Sequence, residues 1–344
     1  MRPRIFITQP VASSAIARLQ QVADVDLNPD PLHIVTRDEL LAAVRSHDVL
    51  FCLLHDRVDA EVIEANPALR AVASMTITPA DIDVAAATAR RIPVTTIPSL
   101  LLDDAAADLA WSLLLAVARR IAEGDRLIRA GTFPGSQSCY LEGGGVTGKV
   151  LGIVGMGGVG RAAAQRARGF RMKVLYCDPR RLPPEEEAEL GVIWVEFEEL
   201  LRRSDFVSIH AKLTKETRHL FGRREFGLMK PSAYLINTAR GPIVDERALV
   251  QALAEKQIAG AGLDVYEREP RLAKALLAMH NVVLTPHVGS AIGVLREAMA
   301  HVVADNILAV IEGRQPPNCW NSELYSELSS VQAAGRRVRR RRTA

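Results

Sequence analysis

The sequence of 344 residues lacks any apolar run long enough to span a membrane. Stretches such as Ala110–Ala118 reach only about half the length a bilayer needs. The opening, MRPRIFITQP, has neither the apolar region nor the small-residue cleavage site of a secretory leader, so a cytoplasmic location is expected. The four cysteines, Cys52, Cys139, Cys177 and Cys319, are too scattered for metal-ligand or redox spacing. They are expected as reduced thiols, and no metal is expected. No internal repeat of solenoid period is present. Charge does not point to nucleic acid either. The net charge is +3, but six arginines crowd the last nine residues, and the rest of the chain comes to −3. That run has no interleaved aromatics and reads as a disordered, solvated end. Neither a nucleic-acid nor a membrane partner is expected.

What is present alternates strand and helix. Hydrophobic residues make up 48% and charged residues 24%, ordinary for a soluble globular protein, and the length suits two cores better than one. In the N-terminal third, Ile5–Thr8, Val49–Leu54, Ala71–Met75 and Pro93–Thr96 read as strands, with helices over Ser13–Gln21 and Ala80–Arg90. A long Ala/Leu-rich helix follows over Leu102–Ile121, opened by Asp103, Asp104 and Asp108, where acids suit the dipole. Residues Gly131–Gly148 read as a loop. A second unit begins at Lys149. Its strands are expected at Val150–Val154, Lys173–Cys177, Phe206–His210, Tyr234–Asn237, Gly260–Asp264 and Val282–Thr285. Helices are expected after Gly160, Glu185, Thr217 and Asp245. A last one over Ser290–Glu312 is ended by Gly313 and Pro316–Pro317. This is the spacing of parallel βα units, an α/β protein.

The most informative stretch is KVLGIVGMGGVGRAAAQRARGFRMKVLYCDPRR. Gly155, Gly157 and Gly160 form a GxGxxG between an apolar strand and a helical pattern. Glycines there permit a tight turn, close approach of backbone to a diphosphate and close helix–strand packing, with the helix N-terminus facing the phosphates. The next strand ends in Asp178, eighteen residues beyond Gly160, where a carboxylate would accept hydrogen bonds from ribose hydroxyls. Its charge opposes a 2′-phosphate and favours NAD, while Arg180 and Arg181 leave NADP open.

Three polar signals stand at later strand ends: Arg240 in INTARG, Asp264 and Glu269 in GLDVYEREP, and His287 in LTPHVGS. Ligands of doubly wound sheets bind outside the carboxyl ends of strands, so these loops can reach one crevice. Reducing a 2-oxo acid needs a cation for the carboxylate and carbonyl, and Arg240 supplies a fork. It also needs an acid for the developing alkoxide, which His287 suits, with Glu269 orienting the imidazole and favouring its protonated form. Asp264 is expected at the nicotinamide.

In these motifs the chain resembles the D-isomer-specific 2-hydroxyacid dehydrogenase family, particularly its glyoxylate/hydroxypyruvate reductase and glycerate dehydrogenase branch. The resemblance spans about residues 40–320. It includes ATARRIPVT, AADLAWSLLLAVARR, KVLGIVGMGGVG, SDFVSIHAKLTKETRHL, GLMKPSAYLINTARGPIVDERALVQAL, AGAGLDVYEREP and LTPHVGS. It implies two parallel-sheet domains closing over a cleft. A Rossmann cofactor domain, residues 100–290, would be inserted in a flavodoxin-like substrate domain made of 1–99 and 291–320, leaving 321–344 as a tail. It implies NAD(P)-dependent reduction of a small 2-oxo acid, glyoxylate or hydroxypyruvate, with Arg240 as the substrate-binding arginine, Glu269 as its supporting carboxylate and His287 as acid/base. Cofactor contacts are expected at Gly155, Gly157, Gly158, Val159 and Gly160, and at Asp178, His210 and Thr217. Thr238, Ala239, Asp264 and Gly289 complete that set. Leu53, Met75, Ile77 and Thr78 are expected beside the substrate with Arg240 and His287. A homodimer is implied, held through the cofactor domain and a segment near Arg120–Gly145.

The chain departs from the family pattern in three places. SMTITPADIDV has Ile77 and Thr78 where a Val-Gly pair normally stands in the loop that holds the substrate carboxylate. Thr78 does not readily take a positive φ, and it adds a hydroxyl. Thr96 stands where Asn is frequent, and Lys212 replaces a usual proline. A bulkier hydroxy acid, another anion such as phosphite, or a non-catalytic dinucleotide-sensing role therefore stay open beside the reductase reading.

Overall fold

The structure, a computed structural model, describes residues 2–79 and 81–325, so the arginine-rich end lies outside the described residues. The chain forms two compact units, Met1–Leu101 with Ala291–Ala344, and Leu102–Ser290, the second interrupting the first in sequence.

In the first unit, strands β1 (Arg4–Ile7), β2 (Asp24–Leu27), β3 (Val49–Cys52), β4 (Ala71–Ser74) and β5 (Val94–Thr95) form a parallel sheet in the order β2-β1-β3-β4-β5. That is the flavodoxin-like doubly wound order. VLFC and AVAS bury every residue, as interior strands covered on both faces must. β2 was not foreseen because DVDL is an edge strand, its exposed acids alternating with half-buried Val25 and Leu27. The helix Arg37–Val44 was also unforeseen, although the Thr36–Glu39 capping box marks its start. Over 80–90 the helix is shorter than expected. It runs Val84–Ala89 because the Asp83 carboxylate accepts from the Ala86 N–H and fixes its start. The late helix Gly293–Ile311 returns to this unit and packs on Ser13–Gln20 and β4. Gly313, at φ 71°, follows its end.

In the second unit, strands β6 (Val150–Val154), β7 (Lys173–Cys177), β8 (Val192–Trp194), β9 (Phe206–Ile209), β10 (Tyr234–Asn237), β11 (Gly260–Leu263) and β12 (Val282–Leu284) pair in parallel. Their order is β12-β11-β10-β9-β6-β7-β8, the Rossmann arrangement with a seventh strand. The order reverses between β6 and β9, which puts the ligand crevice outside their carboxyl ends. Side chains alternate between two cores. Leu151, Ile153, Tyr176 and Ile236 face one, and Val154, Leu175, Val207 and Ile209 the other.

The helix Asp103–Ala118 covers the first of these cores. Its Trp111 donates to the Ala163 carbonyl at 3.0 Å and stacks on Phe170 at 4.9 Å. The expected continuation to Ile121 is broken at Arg120, which is left-handed at φ 52° and opens a separate helix, Ile121–Arg129. The short helix expected after Thr217 is Arg223–Leu228, reached through a turn. Among the described residues no helix is long and apolar enough to cross a membrane.

Candidate active site

Every polar motif read from the second half stands just beyond the carboxyl end of a strand of the Rossmann sheet. After β6, Gly155 takes φ 95°, and a Cβ there would come within 2.6 Å of the Ala211 nitrogen. Gly160 lies directly on the Gly155 carbonyl, closing the helix Gly158–Ala167 onto the turn. Around Gly157, the N-cap of that helix, a Cβ would meet nothing within 4 Å. The helix N-terminus is therefore bared beside open space, a ready anion cradle. Val159 is half-buried against the Trp111 core. Asp178 ends β7, and its two oxygens accept from the Met156 and Arg180 N–H groups, each at 2.9 Å. Arg181 is committed elsewhere, forked on Glu187 at 2.9 Å and lying over Trp194.

At the end of β9, His210 Nε2 meets Ser208 Oγ at 2.9 Å while Nδ1 is buried without a partner among the described residues. Burial pushes this imidazole down to about 4, so it is neutral near pH 7. Thr238 Oγ1, beyond β10, is likewise buried and unpartnered. Two orphaned polar atoms at adjoining strand ends, next to a bare glycine turn, fit a polar ligand of the dinucleotide kind. Thr217 is used within its own turn. Its hydroxyl donates to the Lys212 carbonyl at 2.6 Å and accepts from the Thr214 N–H at 2.7 Å.

The ends of β10, β11 and β12 are densely cross-linked. Asn237 builds the Thr238–Arg240 loop, accepting from the Ala239 N–H at 3.0 Å and donating to the Arg240 carbonyl at 3.1 Å. The Arg240 guanidinium donates to the Ala239 carbonyl at 2.7 Å. Burial pulls its pKa down, and the Glu269 carboxylate opposes that. Gly241 has no room for a side chain against the Tyr266 carbonyl, so the arginine loop lies on the loop that carries Glu269.

Asp264 is buried and accepts from Thr285 Oγ1 at 2.6 Å, the Val288 N–H at 2.8 Å and the Gly289 N–H at 3.0 Å. It clamps the loop of His287, whose own N–H donates to the Asp264 carbonyl at 3.0 Å. His287 is left-handed at φ 53°. Its Nδ1 meets Glu269 Oε2 at 2.7 Å, and Glu269 Oε1 accepts from the Tyr266 N–H at 2.9 Å. With Nδ1 turned to the carboxylate, Nε2 is the nitrogen left for proton transfer. Tyr266 donates its hydroxyl to the Thr285 carbonyl at 2.8 Å, and burial pushes it up to about 12. Asn237, Gly241 and Tyr266 were not foreseen. Their signals were the Asn and second Gly around INTARG and the Tyr of LDVYE.

The first unit holds the remaining candidates at the ends of β3 and β4. Leu53, Met75, Ile77 and Thr78 are half-buried. The Leu53 N–H donates to Asp56 at 2.7 Å, and Thr76 Oγ1 donates to the Thr78 carbonyl at 2.8 Å. Neither Ile77 nor Thr78 takes a positive φ, so this loop runs without the left-handed residue that glycine would permit.

Residues 111–289 match the family described as D-isomer specific 2-hydroxyacid dehydrogenase, NAD binding domain. A glyoxylate reductase of Thermococcus litoralis is 46% identical over 330 residues, covering 95% of this chain and 99% of that one. The chain belongs to the D-isomer-specific 2-hydroxyacid dehydrogenase family. Among solved structures, a Thermus thermophilus protein superposes with a TM-score of 0.85 at 40% identity, covering 92% of this chain and 99% of its own. An NADPH-dependent glyoxylate/hydroxypyruvate reductase of Sinorhizobium meliloti, in complex with NADP and malonate, gives 0.80 at 28% identity over 93% and 97% of the two chains. The protein is thus an NAD(P)-dependent 2-hydroxyacid dehydrogenase acting on small 2-oxo acids.

Proposed function

We propose that this dehydrogenase reduces glyoxylate or hydroxypyruvate with NADH as its preferred cofactor. The observation that carries the reading is the His287–Glu269 pair at 2.7 Å on loops packed against that of Arg240. Arg240 holds the substrate carboxylate through its fork and polarises the neighbouring carbonyl. A reduced nicotinamide held there would supply the hydride, for which the carbonyl carbon is the acceptor. His287 gives its Nε2 proton to the carbonyl oxygen, and Glu269 holds the ring and balances its charge. Asp264, assigned to the nicotinamide, also positions the 285–289 loop, to which both its oxygens are bonded.

Gly155, Gly157, Gly158, Val159 and Gly160 cradle the diphosphate, and Asp178 takes the ribose hydroxyls. His210, Thr238, Ala239 and Gly289 line the rest of the dinucleotide. Thr217 acts by shaping the turn after β9. Preference for NAD rests on Asp178 and on Arg181 being tied to Glu187; exposed Arg180 supports some use of NADP. In the first unit we assign substrate selection to Leu53, Met75, Ile77 and Thr78. We assign the homodimer face to the Arg120–Gly145 segment, a reading that exposed Ile121, Ile128 and Phe133 support, and a cytoplasmic location fits the reaction.

The test is the initial rate at 340 nm with NADH and NADPH across glyoxylate, hydroxypyruvate, pyruvate and bulkier 2-oxo acids. Fast turnover of the two small acids, faster with NADH, is expected. Turnover confined to a bulkier acid, or to another anion, moves the assignment to the second reading, which the Ile77–Thr78 loop favours.

A further inference from the structure

Three acids open the helix Asp103–Ala118, and the fold uses them differently. Asp104 and Asp108 bind Arg166 of the Gly158–Ala167 helix at 3.0 and 2.7 Å. The Asp103 side chain makes no hydrogen bond or ion pair among the described residues. Its carboxylate lies against Gly158, the first residue of the cofactor helix, filling the space where any other residue would place its Cβ. An acid therefore sits beside the same helix N-terminus that the dinucleotide phosphates need. Nearby charges do not cancel it. Arg166 is already shared by two acids, Arg161 of the same helix is bound to Glu186, and both Asp178 oxygens take backbone N–H groups. Partial burial and the neighbouring Asp104 both disfavour its charged form, which marks the carboxylate as poorly compensated.

We propose that Asp103 sets cofactor affinity: its carboxylate competes with the dinucleotide's diphosphate for the positive end of the Gly158–Ala167 helix and keeps binding weaker than a neutral side chain would. The inference rests on the glycine turn being the dinucleotide site. A helix N-terminus presents about half a positive charge, and Asp103 already uses part of it. A unit charge a few ångströms from the phosphates in a half-wet site is worth about a tenfold change in affinity. The pairing also explains why the motif reads GMGGVG, since only glycine at position 158 leaves room for the acid.

The test measures dissociation constants of NADH, ADP-ribose and adenosine on the full chain, by calorimetry and NADH fluorescence. The proteins are the wild type, Asp103→Asn and Asp104→Asn. Asp103→Asn is expected to tighten NADH and ADP-ribose about tenfold, to leave adenosine unchanged, and to lose most of the gain at high salt. Asp103→Ser should act in the same direction, showing that the effect is loss of charge and not a new amide contact. Unchanged or weaker ADP-ribose binding by both variants overturns the proposal. So does an equal gain with adenosine or in Asp104→Asn. Failure of the wild type to bind ADP-ribose would instead overturn the glycine-turn reading itself, and this proposal with it.

Discussion

One edge of the Rossmann sheet carries two sites built by opposite means. Beyond β6, β7 and β9 the chain works by leaving side chains out: Gly155 and Gly157 keep the turn bare, and the polar side chains around it include a neutral histidine, an aspartate held by two backbone N–H groups, and Asp103 against Gly158. Beyond β10, β11 and β12 it works by crowding them in. Asp264, Glu269 and Tyr266 fasten the later loops so that His287 is held by a partner from a neighbouring strand end, and the Arg240 loop lies on the loop that carries Glu269. Binding a large polar ligand needs exposed backbone and room, while moving a proton needs an oriented ring with a fixed partner. The two histidines show the division. His287 is paired with a carboxylate, whereas half-buried His210 has its buried Nδ1 unpaired among the described residues and is kept uncharged.

If that division holds, damage to one half should spare the other. His287→Ala should lower kcat about 10³-fold while NADH binds as in the wild type, read from the 340 nm rate and from fluorescence titration. Arg240→Lys keeps the charge but loses the fork, and should raise KM for the oxo acid roughly 30-fold with little change in NADH affinity. On the other side, Gly155→Ala forces a Cβ against the Ala211 backbone in a left-handed turn. It should weaken NADH binding about tenfold and cost roughly 1–3 kcal/mol in denaturant unfolding.

The smallest effect concerns His210. Its folded pKa of about 4 lies below the unfolded 6.5, so the unfolded chain takes up a proton first as pH falls. The stability it contributes is present above pH 6.5 and is lost as pH drops toward 4. His210→Asn should flatten that part of the unfolding curve.

The sequence made the second unit more legible than the first. Six of its strands are apolar runs that end in a glycine, an acid or another polar motif, and a buried parallel strand announces itself in that way. β2 and the Arg37–Val44 helix were missed for the reverse reason: one is a charged edge, the other a helix with a weak apolar face whose sign is its cap. Arg240, Glu269 and His287 draw attention in the sequence because each is a titratable side chain in a segment that follows a strand. Gly241 and Tyr266 do not, because their work is to let loops touch, and contact between distant segments has no local pattern.

The most direct measurement pairs kcat for glyoxylate reduction with the NADH dissociation constant on His287→Ala and Gly155→Ala. Two losses that separate, turnover in the first and cofactor affinity in the second, are the predicted result. Near-normal turnover of His287→Ala, or loss of NADH binding in that variant, would contradict the assignment of this edge to one catalytic and one binding half.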